Sequence, residues 1–330
     1  MMRLPKFTYL APKTVGEAVR MMGDAGPGGQ FVAGGTDLYP NMKRRQQTPR
    51  TVISVGRVPE LRKIEGDGRT GVTIGAGVSL TEIVEHPVIN RDYPSVARAA
   101  RLISTPTLRN MGTVGGNLLL DTRCNYYDQN YEWRRAVNFC MKKDGDICWV
   151  APGSPKCWAV QSADLVPLMV AVGARVRLVS RVGDRWVTCE GLYNDDGIAY
   201  LHKRPDELLV EIQLPPVGRS RAVYKKLRRR GAFDFPVLGV AAAAEFEEDG
   251  KTVKSARVIL GGISPAPLSI EAAGPALAGG PLDDERIRAA AEAAYLRARP
   301  LDNTDHLMNY RKQMARPFVL RALEELRQAG

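Results

Sequence analysis

Four of the five cysteines, Cys124, Cys140, Cys148 and Cys157, fall in one stretch of this 330-residue chain, with 15, 7 and 8 residues between successive members. Four thiolates gathered in this way suit a metal centre. The stretch, residues 121–161, also carries Tyr126, Tyr127, Tyr131, Trp133, Phe139, Trp149 and Trp158, large rings that would shield a buried site and tune its potential. A segment this long with little regular structure needs something to organise it, and a bound metal centre would do so. Spacing alone does not separate zinc from an iron–sulfur cluster. The close Cys-x-x-Cys knuckles of most structural zinc sites are missing, and scattered core thiols are the remaining alternative.

Two glycine-rich turns carry a second kind of chemistry. In Ala33, Gly34, Gly35, Thr36 and Asp37, paired glycines strip away side-chain bulk so that backbone N–H groups can approach a phosphate, and Thr36 adds a hydroxyl. Thr113, Val114, Gly115, Gly116 and Asn117 offer the same combination with an amide side chain. Either turn alone could equally be a tight turn requiring positive φ. Neither fits the GxGxxG fingerprint or a P-loop. Elsewhere the chemistry is sparse. Cys189 sits alone in a strand-like segment and reads as structural, and His86, His202 and His306 have no metal-ligand spacing. No nucleophilic triad or paired carboxylate suggests acid–base catalysis.

The elements that must hold these turns follow from periodicity. Residues 14–22 read as a helix capped by Thr14, with Val15, Ala18, Val19 and Met22 at helical spacing. Strands are expected at 31–33, 52–55 and 71–77, with a helix over 38–43 after the first turn. Ser79 and Glu82 form a capping box opening another helix, and 93–102 is a further helix. A helical run leads into a strand over 166–179, and 207–214 is a strand stopped by Pro215 and Pro216. Strands of an antiparallel sheet are expected at 237–246 and 255–261, and helices at 283–299 and 306–328. The fold class is α+β. The natural cut near 216–220 leaves a separate C-terminal α+β unit.

With 44% hydrophobic and 25% charged residues the chain is an ordinary globular sequence long enough for more than one core. It has no run long enough for a membrane span and no apolar leader at its start, so a cytoplasmic location and no membrane association are expected. The net charge of +11 concentrates in Lys43, Arg44 and Arg45 and from Arg219 to Arg230. These runs are expected to be a solvated face or to meet an anionic cofactor or acidic partner. Nucleic acid is not expected, since finger and RNA-binding signatures are missing.

The two turns together, Phe31, Val32, Ala33, Gly34, Gly35, Thr36, Asp37 and Leu38 followed by residues 109–117, resemble the FAD-binding subunit of the xanthine dehydrogenase, or molybdenum hydroxylase, family. The similarity continues through residues 162–167, Tyr224, Lys225 and Lys226, and residues 261–267. It implies a two-subdomain FAD-binding fold of the vanillyl-alcohol-oxidase type, residues 1–56 and 57–218, and a C-terminal flavoprotein domain of antiparallel sheet and helices, residues 219–330. Residues 31–38 and 113–117 would wrap the diphosphate and ribityl chain of FAD. Asp164 would meet sugar or ribityl hydroxyls, Lys225 would lie near the flavin, and Ile103 and Leu209 would make apolar contacts. The alternatives are a helix N-cap for Asp164 and a solvated charge for Lys225.

The cysteine segment resembles a narrower branch. Asp121, Thr122, Arg123 and Cys124, then Trp133, Arg134 and Arg135, Cys140, Lys142, Gly145, Asp146, Cys148 and Cys157 are similar to the loop of the 4-hydroxybenzoyl-CoA reductase flavoprotein subunit, which implies a [4Fe-4S] cluster on those four cysteines. The resemblance implies an electron-transfer subunit of an oxidoreductase, with substrate chemistry on a molybdenum-cofactor subunit and [2Fe-2S] clusters on a small one. An external carrier such as ferredoxin and a dimer of heterotrimers complete the expectation. Flavin would convert between two-electron and one-electron carriers. A self-contained FAD oxidoreductase and a zinc-stabilised basic interaction module are the alternatives from other classes.

Overall fold

The computed structural model describes residues 3–328. The N-terminal part is a small parallel sheet with helices. Strand β1 (Thr8–Leu10) leads to helix α1 (Val15–Ala25), strand β2 (Gly29–Val32), helix α2 (Leu38–Lys43) and strand β3 (Thr51–Ser54). The sheet order is β1-β3-β2, with Thr8 opposite Thr51 and Phe31 opposite Ile53. Thr14 caps α1 by accepting the Glu17 N–H at 3.1 Å and so satisfies a donor the helix itself cannot. Ala18, Val19 and Met22 form its buried stripe, as their spacing predicts.

The middle part runs through β4 (Ile64–Asp67), β5 (Gly71–Gly75), α3 (Leu80–Glu85), α4 (Pro87–Asp92), α5 (Pro94–Arg101), α6 (Pro106–Arg109), α7 (Val114–Leu118), α8 (Tyr131–Ala136), α9 (Leu165–Ala171), β6 (Arg175–Ser180), β7 (Gly183–Thr188) and β8 (Leu208–Leu214). Its five strands lie in the order β4-β5-β8-β6-β7. Both bonds of the Ser79 and Glu82 capping box are present at the head of α3. Helix α9 is buried at every position, because it lies between this core and the sheet that follows.

That last sheet comprises β9 (Ser220–Leu227), β10 (Leu238–Phe246), β11 (Val253–Gly261) and β12 (Leu268–Ser269), antiparallel in the order β12-β11-β10-β9. Helices α10 (Ala273–Leu277), α11 (Asp284–Arg297) and α12 (Met308–Gln328) cover one face. Tyr224, Ala241 and Ile259 on the other face join the core of the middle part. The alanine run of β10 follows from being covered on both sides, where small side chains let helices approach closely. The α+β class and the antiparallel C-terminal sheet are thus present.

The charged run from Arg219 to Arg230 differs from the expected solvated face. Its first part is β9, where Tyr224 is fully buried and the Lys226 side chain is only 1% exposed. Two consecutive lysines, Lys225 and Lys226, mask the apolar alternation, because each long side chain finds an acid, Glu325 on one face and Asp164 on the other. Residues 121–161 do form a segment of little regular structure, with one six-residue helix, α8, capped by Asn130. Arg123 and Val160 exchange both backbone hydrogen bonds, at 2.9 and 2.8 Å, and so close its base.

Candidate functional site

A cavity of about 820 Å³ opens between the N-terminal and middle parts. It is lined by Phe31, Val32, Ala33, Gly34, Gly35, Thr36, Asp37, Leu38, Ile103, Thr113, Gly115, Gly116, Asn117, Asp164 and Leu209. Chain positions far apart in sequence are therefore brought to one cavity. Val114 and Lys225 are not. Val114 is in the core.

The two glycine turns are not equivalent. At the first, Gly35 has φ of 71°, and the N–H groups of Gly34, Gly35, Thr36 and Asp37 meet no protein acceptor among the described residues. Consecutive free N–H groups on a concave wall form an anion-binding concavity. At the second, the donors are used within the protein. Val114 N–H bonds to Val78 O at 2.9 Å, Gly115 N–H to Ala76 O at 2.9 Å, and Gly116 N–H to Thr113 Oγ1 at 3.1 Å.

Bulk relief also has another cause than ligand approach. A Cβ on Gly34 would lie 1.7 Å from Met111 O, and one on Gly115 would lie 2.6 Å from Ala76 Cβ. These glycines let one protein segment pass close to another. Gly116 alone among them would meet nothing but its own capping hydroxyl, Thr113 Oγ1, at 3.0 Å.

Asp164 precedes α9 but makes no cap bond. Its carboxylate accepts from Tyr224 Oη at 2.9 Å and Lys226 Nζ at 2.9 Å, and Lys226 also donates to Leu102 O at 3.0 Å. Burial pushes the Asp164 carboxyl up and the Lys226 ammonium down, and the attraction of the pair opposes both shifts. Lys225, one residue earlier on β9, faces the other way and pairs with Glu325. Lys225 thus points away from the face on which Lys226 meets Asp164, since successive strand residues point to opposite faces.

Several cavity residues gave no individual signal. Arg123 lies 3.6 Å from Asp37 and 3.4 Å from Asp128, with its guanidinium 4.0 Å over the Phe235 ring. Burial raises the Asp37 carboxyl to about 6, Arg123 opposing and Asp121 and Asp128 adding. Phe233 and Phe235 line the cavity and are largely exposed. Lys203 lines it as well, pushed down to about 8 by burial. In the sequence Arg123 stands out only within the cysteine-segment resemblance, which gives it no role at the cavity.

The four cysteines of the 121–161 segment surround a second, small void together with Tyr126, Tyr127, Met141, Lys142, Trp149 and Val150. All are buried free thiols. Burial raises Cys124 to about 12 and Cys157 to about 11. Backbone N–H groups oppose the shift, from Tyr126 to Cys124 and from Ala159 to Cys157. Among the described residues no three His, Cys, Asp or Glu converge tightly enough for a single metal ion. Tetrahedral zinc needs its sulfurs at about 2.3 Å from one point, whereas a cubane cluster spreads its four thiolates over separate irons. The four thiols and the N–H groups directed at two of them are a donor set of the kind that holds iron–sulfur clusters.

Lys142 connects the two sites. It lines the cysteine void, and its Nζ donates to Asp121 Oδ1 at 2.9 Å, Thr122 Oγ1 at 2.8 Å and Gly197 O at 2.6 Å. Asp121 lines the large cavity.

Residues 5–217 match the family described as the FAD binding domain in molybdopterin dehydrogenase, and residues 222–326 match the CO dehydrogenase flavoprotein C-terminal domain. The carbon monoxide dehydrogenase medium chain of Hydrogenophaga pseudoflava is 31% identical, covering 97% of this chain and 96% of that one. The aldehyde oxidoreductase FAD-binding subunit of Escherichia coli is 34% identical over 81% of this chain and 84% of its own length. Among solved structures, carbon monoxide dehydrogenase from Hydrogenophaga pseudoflava lacking the Mo-pyranopterin moiety superposes with a TM-score of 0.79 at 31% identity, covering 98% of both chains. Reconstituted CO dehydrogenase from Oligotropha carboxidovorans gives 0.81 at 25% identity over all of both chains.

Proposed function

This chain belongs to the FAD-binding medium subunits of the molybdenum hydroxylase family, and on that premise we propose that it also carries a [4Fe-4S] cluster and relays electrons between FAD and an external carrier. It is an oxidoreductase subunit whose substrate chemistry belongs to other subunits. The single observation that supports the added cluster is the gathering of Cys124, Cys140, Cys148 and Cys157 around one void.

In this reading the free N–H groups of residues 34–37 hold the diphosphate of FAD, with Thr36 and Thr113 offering hydroxyls. Gly115, Gly116 and Asn117 form the facing wall, and Phe31, Ile103 and Leu209 give apolar contact. Asp164, fixed by Tyr224 and Lys226, keeps carboxylate lone pairs for cofactor hydroxyls. FAD, once bound, supplies the exchange between one-electron and two-electron carriers. The aromatic rings of the cysteine segment exclude water from the thiolates. Residues 1–56, 57–218 and 219–330 act as two FAD-binding subdomains and a C-terminal domain.

The partners in this reading are a molybdenum-cofactor subunit and a [2Fe-2S] subunit, in a dimer of heterotrimers, with ferredoxin or a similar protein as the carrier. The resemblance of the cysteine segment to that of 4-hydroxybenzoyl-CoA reductase points to reductive dehydroxylation of an aromatic acyl-CoA. No helix among the described residues is long and apolar enough to cross a membrane. Protein purified without oxygen, with flavin, iron and zinc quantified and an EPR spectrum recorded after reduction, tests the assignment. About four irons and one FAD per chain are expected. Zinc in place of iron would overturn the cluster and leave the flavin assignment standing.

A further inference from the structure

The cysteine segment touches the cofactor loop at four points. Arg123 lies 3.6 Å from Asp37. Gln46, buried, donates to Tyr127 O, and Gln47 Nε2 donates to Asp121 Oδ2 at 3.0 Å. Arg134 is fully buried, and its Nη2 reaches Arg44 O and Arg45 O, each at 3.4 Å. The five loop residues involved, Asp37, Arg44, Arg45, Gln46 and Gln47, lie in the stretch that leaves the phosphate-facing turn through α2. Arg45 there holds a left-handed backbone, φ 62°, which a non-glycine residue adopts only when its surroundings hold it.

Three of these contacts are tied closely to a cysteine. Arg123 adjoins Cys124, whose N–H bonds to Asp128 at 3.1 Å, and Asp128 in turn faces Arg123. Tyr127 N–H bonds to Cys124 O at 2.9 Å, and Phe139 N–H bonds to Arg134 O at 2.6 Å just before Cys140. The segment has one short helix of its own. These contacts therefore share with the segment's own buried cluster and its bonds to Gly197, Asp195 and Asn303 the task of offsetting the entropy of ordering it.

We infer that the cysteine segment is a clasp on the cofactor loop, with Arg123, Gln47 and Arg134 as positioning residues, so that occupancy of the cysteine pocket and affinity for FAD are linked. The inference rests on the FAD and cluster assignments above. Linkage is reciprocal: whatever factor the cysteine-bound centre adds to FAD affinity, FAD adds to the affinity for that centre.

The test uses the full chain as isolated with its partner subunits. The FAD dissociation constant is measured by flavin fluorescence for the wild type, for chelator-treated protein with its iron counted, and for Q47A, R134M and C140A. Each of Q47A and R134M is expected to weaken FAD roughly tenfold, the worth of one buried or charge-assisted hydrogen bond. Iron-depleted protein and C140A should weaken it at least as much, and removal of FAD should speed loss of iron to the chelator. Unchanged FAD affinity in Q47A and in iron-depleted protein overturns the clasp. Should R134M fail to fold, Q47A on the partly exposed side of the contact decides. A complex that shows the partner's [2Fe-2S] signals by EPR but no [4Fe-4S] signal, the same in wild type and C140A, would sink the cluster assignment, and Q47A and R134M would still judge the clasp by FAD affinity alone.

Discussion

Lys142 and Asp121 meet 2.9 Å apart between the cysteine void and the large cavity, each almost wholly shielded from water. Removing one partner of such a pair leaves a buried charge unbalanced, which costs more than the pair itself contributes. K142M is expected to lose about 3 kcal/mol of stability, read from denaturant midpoints. K142M/D121N should recover part of that loss, because the stranded carboxylate is gone. A double variant no more stable than K142M would mean that packing, not charge, sets the cost.

Lys225 and Lys226 provide a contrast on a single strand. K226M leaves Asp164 uncompensated beside the cavity and should both destabilise the protein by about 3 kcal/mol and weaken FAD. K225M breaks only the partly exposed pair with Glu325, worth at most about 1 kcal/mol, and should leave FAD affinity as it was. Flavin titration of the two variants checks this; release of flavin by K225M alone would reverse the assignment.

Gly34 and Gly116 separate protein packing from ligand space. A methyl group at Gly34 collides with Met111 O, so G34A should lower the thermal midpoint of flavin-free protein as well as flavin content. At Gly116 the only neighbour within 4 Å is Thr113 Oγ1. G116V should therefore cost flavin with much less loss of the flavin-free midpoint. Equal loss of midpoint in the two variants would count against Gly116 facing the cofactor.

Asp37 predicts a pH dependence. Burial lifts its carboxyl from the ordinary aspartate value of 3.8 to about 6, so the fold favours the protonated acid. The stability this gives is complete below about 4 and is lost as pH rises through about 6. A displacement of two units is at most about 3 kcal/mol, less what solvent screens. Flavin-free D37N should match the wild type near pH 4 and exceed it at pH 7.5. Parallel curves of midpoint against pH would dismiss the effect.

Much of this was legible from local patterns. The Thr14 cap, the Ser79 and Glu82 box and helix α2 all form where their residues predict, because each depends on neighbours within four positions. Strand β9 was hidden because its alternation runs through lysines, whose acids, Asp164 and Glu325, lie 62 and 100 residues away. The same distance concealed the Arg123 to Asp37 contact. The glycine pairs were visible as turns, but not the protein atoms that Gly34 and Gly115 make room for, since Met111 and Ala76 come to them only through the tertiary fold.

The paired backbone bonds between Arg123 and Val160 bring the entry and exit of the cysteine segment side by side. Such a junction works like a socket. The two ends stand at one place on the scaffold, so the cysteine segment between them is separable in length from the course of the chain on either side. Transplanting it into a shorter relative would call for the receiving surface as well: an acid at the position of Asp37, an amide at that of Gln47 and a free carbonyl pair at the end of α2.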